Sequence, residues 1–578
     1  MTSEAPSYTN LNLYEDLNNY YFETLQNPKV EREVLVINRH SYSLNVSNDI
    51  TVLPSQIPKK VIPAILGIIP LLGCPYLVLA TRVKQVGTLL QQSIYYVVDT
   101  NLLPLRHASP YLSTLQESDQ ANYLQLIKSM LKEPGLYYSP SLDITHSMQR
   151  LLTANKSSRL ETPVVTADHR FLWNSYMLSD FFGVAERFGV ALICGFAGWT
   201  PGREVCLLSR RAVQMSGTRF WRRGADDSGN TANFVETEQI VEADDISSFL
   251  ILRGSIPMSW TQTPNLQWKP KFMLNDDSVQ ERILNLHLND LISRYGRLTI
   301  VSLINATGSE GRLGQSFTRN INYCVEKNDH FLSQLGYQQY DFHANPDVRR
   351  LLQRLDSDRQ IFSYLQVTKR GAAMEQLGAF RVNCIDSLDR TNVVQSLICR
   401  QTLETQLRTL QNSNPASTLS AELSTELSKL WADHGDQLAH QYAGTKAMKG
   451  DITRYGCRTR SGQLNDLNSG LTRYYLNNFA DGIRQDAHEL FHGRFVVPAH
   501  DHRPITSPFE SPLTADLLLP VSALISFAIF IYCLLVPGED WVVYALFWIS
   551  LTVIFLVLCV RRGPFLVNKP KLVKVKIQ

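Results

Sequence analysis

A cysteine and an arginine separated by five residues are the pair in this sequence best suited to covalent chemistry. Cys384 and Arg390 lie within Arg-Val-Asn-Cys-Ile-Asp-Ser-Leu-Asp-Arg-Thr-Asn, residues 381–392. A cysteine thiolate is a strong nucleophile, and a guanidinium can hold two phosphate oxygens and stabilise charge during transfer. The spacing therefore indicates phosphoryl transfer. A buried structural cysteine at a strand end is the alternative, since cysteine is common in protein cores.

The residues around this pair predict a strand, a short loop and a helix. Residues 379–383 form an apolar run typical of a buried strand, and apolar residues recur at helical spacing from Thr391 onward. Such a strand, loop and helix start would direct several backbone N–H groups at one anion. The helix dipole and Arg390 would also lower the pKa of Cys384 and favour its thiolate.

Over a longer range, strands alternate with helical patterns, which favours an α/β architecture. Residues 1–180 mix short β-rich runs with helical stretches, and we predict a β-rich N-terminal subdomain there. We predict an α/β catalytic domain over 181–495. Within it, apolar strands are predicted at 189–194, 298–303 and 379–385, and an amphipathic helix at 277–295.

Two uncharged segments near the C-terminus, 517–536 and 541–560, are predicted to be transmembrane helices. Each has twenty residues, and at 1.5 Å per residue it spans ~30 Å, the thickness of bilayer hydrocarbon. Both are apolar around their full circumference, which fits poorly with a pair of buried core helices. Only residues 537–540 separate them, so the two helices form a tight hairpin.

The residues flanking the hairpin predict its orientation. The tail at 561–578 carries six basic residues and no acidic one, so the positive-inside rule places it in the cytosol. The hairpin returns the large N-terminal part to the same side. Residues 496–514 contain four prolines and are predicted to be a flexible linker with a reach of ~25 Å.

A further apolar stretch, 61–81, is not predicted to span a membrane. It contains three prolines and two glycines, which fit poorly in a lipid-exposed helix because every backbone group there must be paired. Residues 76–80 are better interpreted as a buried strand that leaves a turn.

Composition excludes several classes of protein. The 578 residues include 56 Lys plus Arg against 53 Asp plus Glu, and 19% are charged. This balance excludes a disordered, collagen-like or strongly nucleic-acid-binding chain. The nine cysteines include no Cys-x-x-Cys pair, so neither a disulfide framework nor a thiolate zinc site is indicated. The first fifteen residues lack an apolar run and do not resemble a signal peptide.

Several segments, in order along the chain, are similar to the Sac-domain phosphoinositide phosphatases. Residues 381–392 resemble the active-site signature of that family, and the C-terminal hairpin resembles its integral-membrane, suppressor-of-actin type branch. The other matching segments are 169–174, 218–220, 223–224, 232–239, 253–257 with Trp260, 340–343 and 471–479. The resemblance covers nearly the whole chain and is far more specific than the cysteine–arginine spacing.

The resemblance implies a two-step dephosphorylation without a metal or cofactor. Cys384 would attack the inositol-ring phosphate and form a phosphocysteine, which water then hydrolyses. Asp386 and Asp389 are the candidates for the general acid that protonates the leaving oxygen, although either could instead be structural. The signature residues expected to bind substrate are Asn383, Ile385, Ser387, Leu388 and Thr391. Thr391 and Asn392 are also typical helix-start residues.

The implied substrates are phosphatidylinositol monophosphates, chiefly the 4-phosphate and also the 3-phosphate. Two alternatives stay open: a protein tyrosine or dual-specificity phosphatase, and a catalytically silent phosphoinositide-binding scaffold. An arginine cluster could form a positive groove for an anionic headgroup, although a solvated strand edge or loop is favoured for each single residue. The cluster comprises Arg203, Arg210, Arg211, Arg219, Arg222 and Arg223.

The last five residues resemble a dilysine retrieval signal, with Lys574 and Lys576 in the expected places. Such a signal is recognised by coat complexes on a cytosolic tail, so it implies the endoplasmic reticulum membrane with Golgi cycling. A short basic tail that only fixes topology is the alternative.

Overall fold

The computed structural model shows a mixed α/β fold followed by two apolar C-terminal helices, as predicted. The described residues are 7–25, 32–55, 58–106, 112–153, 161–202, 204–342, 344–345, 347–368, 371–410, 419–498, 507–509 and 518–573.

Five short strands near the N-terminus form an antiparallel sheet. They are β1 (Leu11–Glu15), β2 (Asn19–Glu23), β3 (Val34–Asn38), β4 (Leu44–Ser47) and β5 (Lys60–Ile62). Their order is β4-β3-β2-β1-β5. The alternation of apolar residues buries Leu11 and Leu13 on one strand and Leu35 and Ile37 on another, as expected for a sheet with one covered face.

A second, larger sheet forms the centre of the molecule. Its strands are β6 (Ala64–Ile69), β7 (Tyr76–Leu89), β8 (Gln92–Pro104), β9 (Leu136–Tyr138), β10 (Ile193–Trp199), β11 (Val205–Arg211), β12 (Val235–Glu242), β13 (Ile246–Arg253), β16 (Arg297–Ser302), β17 (Leu335–Gln339), β18 (Leu365–Thr368), β19 (Gly371–Met374) and β20 (Gly378–Asn383), while β14 (Trp260–Thr261) and β15 (Met273–Leu274) pair separately. The main order is β17-β16-β20-β13-β12-β11-β10-β9-β8-β7-β6.

One end of this sheet is parallel. Strand β20 lies between β16 and β13 and is parallel to both, and β17 is parallel to β16. The carboxyl ends of these four strands therefore meet at one edge of the sheet. In α/β folds this edge is where ligands bind.

The helices of the soluble part cover the large sheet. They are α1 (Thr114–Leu131), α2 (Met148–Thr153), α3 (Pro163–Thr166), α4 (Asp277–Tyr295), α5 (Gly308–Lys327), α6 (Asp329–Gln334), α7 (Arg349–Phe362), α8 (Asp389–Leu410), α9 (Ala421–Ala443), α10 (Gly450–Tyr455), α11 (Arg460–Phe479) and α12 (Asp481–Phe491). The predicted helix at 277–295 is confirmed with these bounds. It ends where Gly296 adopts φ 75°, a conformation that favours glycine.

The strand predicted at 189–194 is largely wrong, because β10 begins only at Ile193. The residues before it are buried but bond elsewhere. The backbone N–H of Val190 donates to the Ile65 carbonyl at 3.2 Å, and that of Leu192 donates to the Asn174 side chain at 2.9 Å. An apolar run signals burial but does not specify its hydrogen-bond partners.

The predicted division near residue 180 is not a boundary of the large sheet. Strand β9, from the predicted N-terminal subdomain, pairs with β10 from the predicted catalytic domain through Tyr137 and Ile193. A single sheet therefore crosses the two regions.

Three described residues of the predicted flexible linker, 496–514, pack against the folded part of the chain. Val497 is buried, and the Ser507 hydroxyl donates to Asp119 of α1 at 2.6 Å. The Phe509 ring meets Tyr123 edge-on with centroids 5.1 Å apart. Proline content predicted a linker without regular structure, and within it Ser507 and Phe509 contact α1.

The C-terminal hairpin consists of α13 (Leu518–Leu535) and α14 (Trp541–Arg561), followed by the short α15 (Gly563–Leu566). Both long helices are long and apolar enough to cross a membrane. Thr552 donates to Ser526 at 3.0 Å across the helix pair, a polar contact typical of helices that associate in lipid. The strand predicted at 76–80 is present as the first part of β7, and β6 lies earlier in the same apolar stretch.

Candidate active site

Cys384 lies at the carboxyl end of the parallel part of the sheet. It follows β20 directly, and α8 begins five residues later at Asp389, so the predicted strand, loop and helix are present. The side chain is 3% exposed. The neighbouring strands β16 and β13 pair with the last residues of β20, which fixes the height of Cys384 above the sheet.

The signature loop, residues 384–388, is held by bonds from residues far away in sequence. Ser387 has φ 51°, and its hydroxyl donates to the Gly254 carbonyl. The Asn233 amide donates to the Asp386 carbonyl at 3.2 Å. These contacts fix the left-handed turn that Ser387 would otherwise adopt only at a cost.

Arg390 is paired with Glu310 at the start of α5. Its two terminal nitrogens donate to the two Glu310 oxygens at 2.9 and 3.1 Å. One of them also donates to the Leu303 carbonyl and to Asn305, each at 2.9 Å. Burial opposes the charge, but Cys384 and Glu310 together raise the pKa of Arg390. The guanidinium therefore stays charged, and its donors are already paired with the Glu310 carboxylate.

Asp386 is enclosed by two arginines. Arg219 donates twice to one carboxylate oxygen, at 3.0 and 2.7 Å, and Arg223 donates to the other. Burial alone would raise the pKa of Asp386, but the two guanidinium groups outweigh it and hold the pKa below its usual range. The carboxylate is therefore ionised in this arrangement.

Asp389 is also paired. It accepts from the backbone N–H of Met448 at 2.6 Å and from the buried Arg473 at 3.2 Å. Both candidate acids thus accept hydrogen bonds that fasten the loop and the start of α8. Which of them protonates the leaving oxygen stays a prediction.

A cavity of about 610 Å³ lies beside the signature loop, within the usual size of a ligand site. Ile385 and two of the three Arg390 partners, Asn305 and Glu310, contribute to its wall, but Cys384 and Arg390 do not. The wall carries four cationic side chains and four aromatic ones: Arg219, Arg223, Lys269, Arg473, Phe220, Trp268, Phe272 and Tyr474. These cationic and aromatic side chains suit a ligand that carries negative charge and also has apolar surfaces.

Of the predicted substrate-binding side chains, only Ile385 reaches this cavity. Asn383 accepts from Arg381 at 3.2 Å, and Leu388 packs against Tyr442 of α9. Thr391 is completely buried. Residue type indicated a loop that contacts phosphate, whereas side-chain direction depends on the packing around the loop.

Arg253, at the end of β13, is a charged neighbour of Cys384 for which no role is predicted from the sequence. It is 1% exposed, and one terminal nitrogen donates to Asn392 at 3.0 Å. Its other two nitrogens have no hydrogen-bond partner among the described residues. Burial lowers the pKa of Arg253, while the thiols of Cys384 and Cys399 act to raise it. The only signal for it was its place in the motif at 253–257.

Asn392 connects this buried arginine to α9. Its amide donates to the Trp431 carbonyl at 2.9 Å, and its oxygen lies 3.0 Å from Nδ1 of His434. Burial lowers the pKa of His434 well below its usual value, so the imidazole is neutral. The predicted helix-start role of Asn392 therefore extends to holding β13, α8 and α9 together.

The arginine cluster divides into two sets. Arg210 and Arg211 are buried, and Arg210 pairs with Glu238 at 2.8 Å, so the solvated strand edge is wrong for them. Arg219 and Arg223 face the cavity, as the positive-groove interpretation requires.

Arg203, His343 and the lysines at 574 and 576 lie outside the described residues. Within the described ranges, no group of three or more His, Cys, Asp or Glu side chains is placed to hold a metal ion.

Comparison with known proteins identifies the family. The SacI homology domain matches residues 63–346. The chain is 33% identical over 591 residues to "Phosphatidylinositol-3-phosphatase SAC1-A" of Danio rerio, covering 99% of both chains. It is 36% identical over 545 residues to "Phosphoinositide phosphatase SAC7" of Arabidopsis thaliana, covering 90% of both.

A relative from Saccharomyces cerevisiae, "Phosphatidylinositol-3-phosphatase SAC1", is 31% identical over 488 residues, covering 78% of this chain and 74% of its own. A crystal structure of a Legionella phosphoinositide phosphatase aligns with 53% of this chain and 42% of its own at 11% identity, with a TM-score of 0.24, too low to support any argument. The full-length sequence matches are sufficient, and they show that this chain belongs to the Sac1 family of phosphoinositide phosphatases.

Proposed function

We propose that this protein is a membrane-anchored phosphatase that hydrolyses phosphatidylinositol monophosphates through a phosphocysteine on Cys384. The observation that carries the proposal is Cys384 itself, held at the end of a central parallel strand beside a cavity with four cationic side chains. Family membership supports the phosphoinositide substrate. The preference for the 4-phosphate, with the 3-phosphate second, is the family expectation stated above.

The reaction has two steps. The Cys384 thiolate attacks phosphorus, the bond to the inositol oxygen breaks, and that oxygen takes a proton from a general acid. Water then attacks the phosphocysteine, which releases phosphate and restores the thiolate. Arg253 stabilises the thiolate as a buried positive charge, and backbone N–H groups of the signature loop bind the phosphoryl oxygens.

Substrate binding requires Arg390 to exchange partners. In this structure its donors are directed to Glu310, Asn305 and Leu303. A phosphate dianion offers a stronger acceptor than these groups. We therefore expect the phosphate to displace Glu310 and draw Arg390 over the loop, which completes the anion site next to Cys384.

The helices α13 and α14 anchor the enzyme, and the basic tail places both ends of the hairpin on the cytosolic side. We further propose the endoplasmic reticulum membrane with Golgi cycling as the location, since the last five residues are similar to a dilysine signal for coat complexes. Catalysis then takes place on lipids of the membrane that holds the hairpin.

The full-length protein, reconstituted in lipid nanodiscs, tests the activity. It would be given phosphatidylinositol 4-phosphate, the 3-phosphate and phosphotyrosine peptides, each beside Cys384→Ser. We expect phosphate release from the lipids, faster from the 4-phosphate, and none from the substituted protein. Acid quenching after incubation with radiolabelled lipid should leave label on the cysteine peptide.

The alternatives give different results in the same assay. Release from peptides alone would indicate a protein phosphatase. Lipid binding without release from any substrate would indicate a silent scaffold. Release that persists in Cys384→Ser would refute the covalent mechanism.

A further inference from the structure

Helix α11 carries an apolar stripe on its solvent-facing side. Five of its residues, spaced three or four apart, are between 44% and 69% exposed: Leu464, Leu467, Leu471, Tyr475 and Phe479. This spacing places them on one helix face over ~22 Å. Large apolar faces of this kind on a folded protein mark contact with a partner or a membrane. We call these five residues the α11 apolar face.

The α11 apolar face borders the substrate cavity. Leu467 belongs to both, and the adjacent face of the helix contributes Gly470, Arg473 and Tyr474 to the cavity wall. Trp268, 56% exposed, stacks on Tyr474 with ring centroids 5.4 Å apart. One side of α11 forms part of the cavity wall, and the adjacent side is apolar. Whatever binds the apolar side therefore also lies at the mouth of the cavity.

The loop that carries Trp268 is fastened to α11. Tyr474 donates from its hydroxyl to the Leu266 carbonyl at 2.8 Å, and Asn478 accepts from the Leu266 N–H at 3.0 Å. Beyond this loop, Met273 of β15 is 59% exposed. The apolar surface therefore extends from the helix onto the loop and the β14–β15 pair, with exposed cations beside it at Lys269, Lys271 and Arg460.

The chain leaving the hairpin is attached to the same place. A Cβ built on Gly563, two residues after α14, would lie 2.1 Å from the Asn265 carbonyl oxygen, so the two backbones are in direct contact. The Asn568 N–H donates to the Asn478 carbonyl at 2.7 Å. The end of the membrane hairpin thus docks on both the loop and the C-terminal end of α11.

We infer that the α11 apolar face, with Trp268 and Met273, inserts into the cytosolic leaflet of the bilayer that holds α13 and α14. This inference rests on the proposed function, because it requires a membrane-anchored enzyme with a lipid substrate. The occupant is a bilayer because the face is tied to the end of α14 by Gly563 and Asn568. Trp268 is typical of a membrane interface, and the neighbouring lysines suit anionic headgroups.

Insertion would place the cavity mouth at the level of the lipid headgroups. A phosphoinositide could then enter the cavity while its acyl chains stay in the leaflet. Water-soluble short-chain substrate needs no such contact. The α11 apolar face therefore affects the turnover of substrate in a bilayer but not the turnover of monomeric substrate.

The first test compares two forms of one substrate. Full-length protein with Leu464→Gln, Leu471→Gln and Tyr475→Gln would be assayed in nanodiscs, none of these residues being part of the cavity wall. We expect about tenfold slower turnover of long-chain phosphatidylinositol 4-phosphate, and unchanged turnover of the monomeric dioctanoyl form. A matched control, Leu332→Gln with Leu377→Gln, replaces exposed apolar residues elsewhere on the surface. It should alter neither turnover rate. Equal losses on both substrate forms, or no loss on the long-chain form, would overturn the inference.

The second test identifies the occupant. A benzoylphenylalanine placed at residue 471 of the full-length protein would be irradiated in nanodiscs. Adducts with the mass of one phospholipid support insertion. Adducts of two chains, or no lipid adduct, would refute it and, in the first case, assign the face to a second copy. If the unsubstituted protein released no phosphate from either lipid form, the proposed function would fail, while the adduct masses would still decide the insertion.

Discussion

Glu310 competes with any anion that approaches Arg390. Its carboxylate accepts from both terminal nitrogens of the guanidinium, so a substrate phosphate must break two charge-assisted bonds. Glu310→Gln keeps the shape and removes the charge. We expect the KM for dioctanoyl phosphatidylinositol 4-phosphate to fall by about tenfold, the equivalent of one such bond, with kcat unchanged. Steady-state kinetics measures both constants.

Glu326→Gln, at the other end of α5 and outside the cavity wall, is the matched control and should change neither constant. A higher KM in Glu310→Gln would contradict the exchange. It would mean that Glu310 holds Arg390 in its binding position rather than away from it.

Arg253 should set the charge state of the nucleophile. It is buried, its Nε and Nη1 have no hydrogen-bond partner among the described residues, and it interacts with the Cys384 thiol. Arg253→Met removes the positive charge and keeps most of the volume. We expect alkylation of Cys384 by iodoacetamide to require a higher pH in this variant, because the thiolate loses a neighbouring positive charge.

Arg253→Lys retains the charge and should keep the pH midpoint of alkylation close to that of the unsubstituted protein. A merely structural role predicts a different pattern, with lower protein stability in both variants and the same alkylation midpoint. Mass spectrometry of the peptide containing Cys384 separates this thiol from the other eight cysteines.

At the scale of elements, α8 and α9 approach each other closely beside the signature loop. A Cβ on Gly435 would lie 2.5 Å from the Asn392 amide nitrogen, and Asn392 holds both Arg253 and His434. Gly435→Ala should push Asn392 away, destabilise the fold by about 1–3 kcal/mol and lower kcat. Thermal unfolding and kinetics measure the two effects.

Gly450→Ala is the control for the general effect of adding a methyl group, because the nearest atom to its Cβ is 3.8 Å away. It should leave both quantities nearly unchanged. An unaltered kcat in Gly435→Ala would show that the packing of α9 does not reach the active site.

Apolar periodicity predicted well those helices and strands whose burial pattern is contained in their own sequence. The helix at 277–295 and the strand before Cys384 follow from local apolar spacing. The bonds from Arg219 to Asp386 and from Arg390 to Glu310 join residues 167 and 80 positions apart. Such pairs depend on the sheet order, which no local pattern specifies. Cys384 could therefore be picked out as a candidate nucleophile from the sequence, but its charged surroundings could not.

At the scale of the whole molecule, the tail joins the C-terminal hairpin to the soluble part through Asp486 of α12. Its carboxylate accepts from the backbone N–H groups of Lys571 and Leu572, at 2.8 to 2.9 Å. Leu572 is buried in the core that α1 and α12 share. The tail therefore fixes the end of the C-terminal hairpin to the soluble part of the chain.

This junction should make stability depend on pH. Burial raises the pKa of Asp486 from 3.8 to about 6, although the N–H groups of Lys571 and Leu572 oppose the rise. The folded state keeps a proton that the unfolded state has released, so the free energy of unfolding decreases as pH rises through this window, by about 3 kcal/mol in total. Asp486→Asn is neutral at every pH and should lose this decrease, whereas Asp290→Asn on the exposed face of α4 should keep it. Thermal unfolding of the full-length protein in detergent, at about pH 4.5 and about pH 7, measures the difference. Equal pH dependence in Asp486→Asn and the unsubstituted protein would exclude Asp486 as the source of the pH dependence.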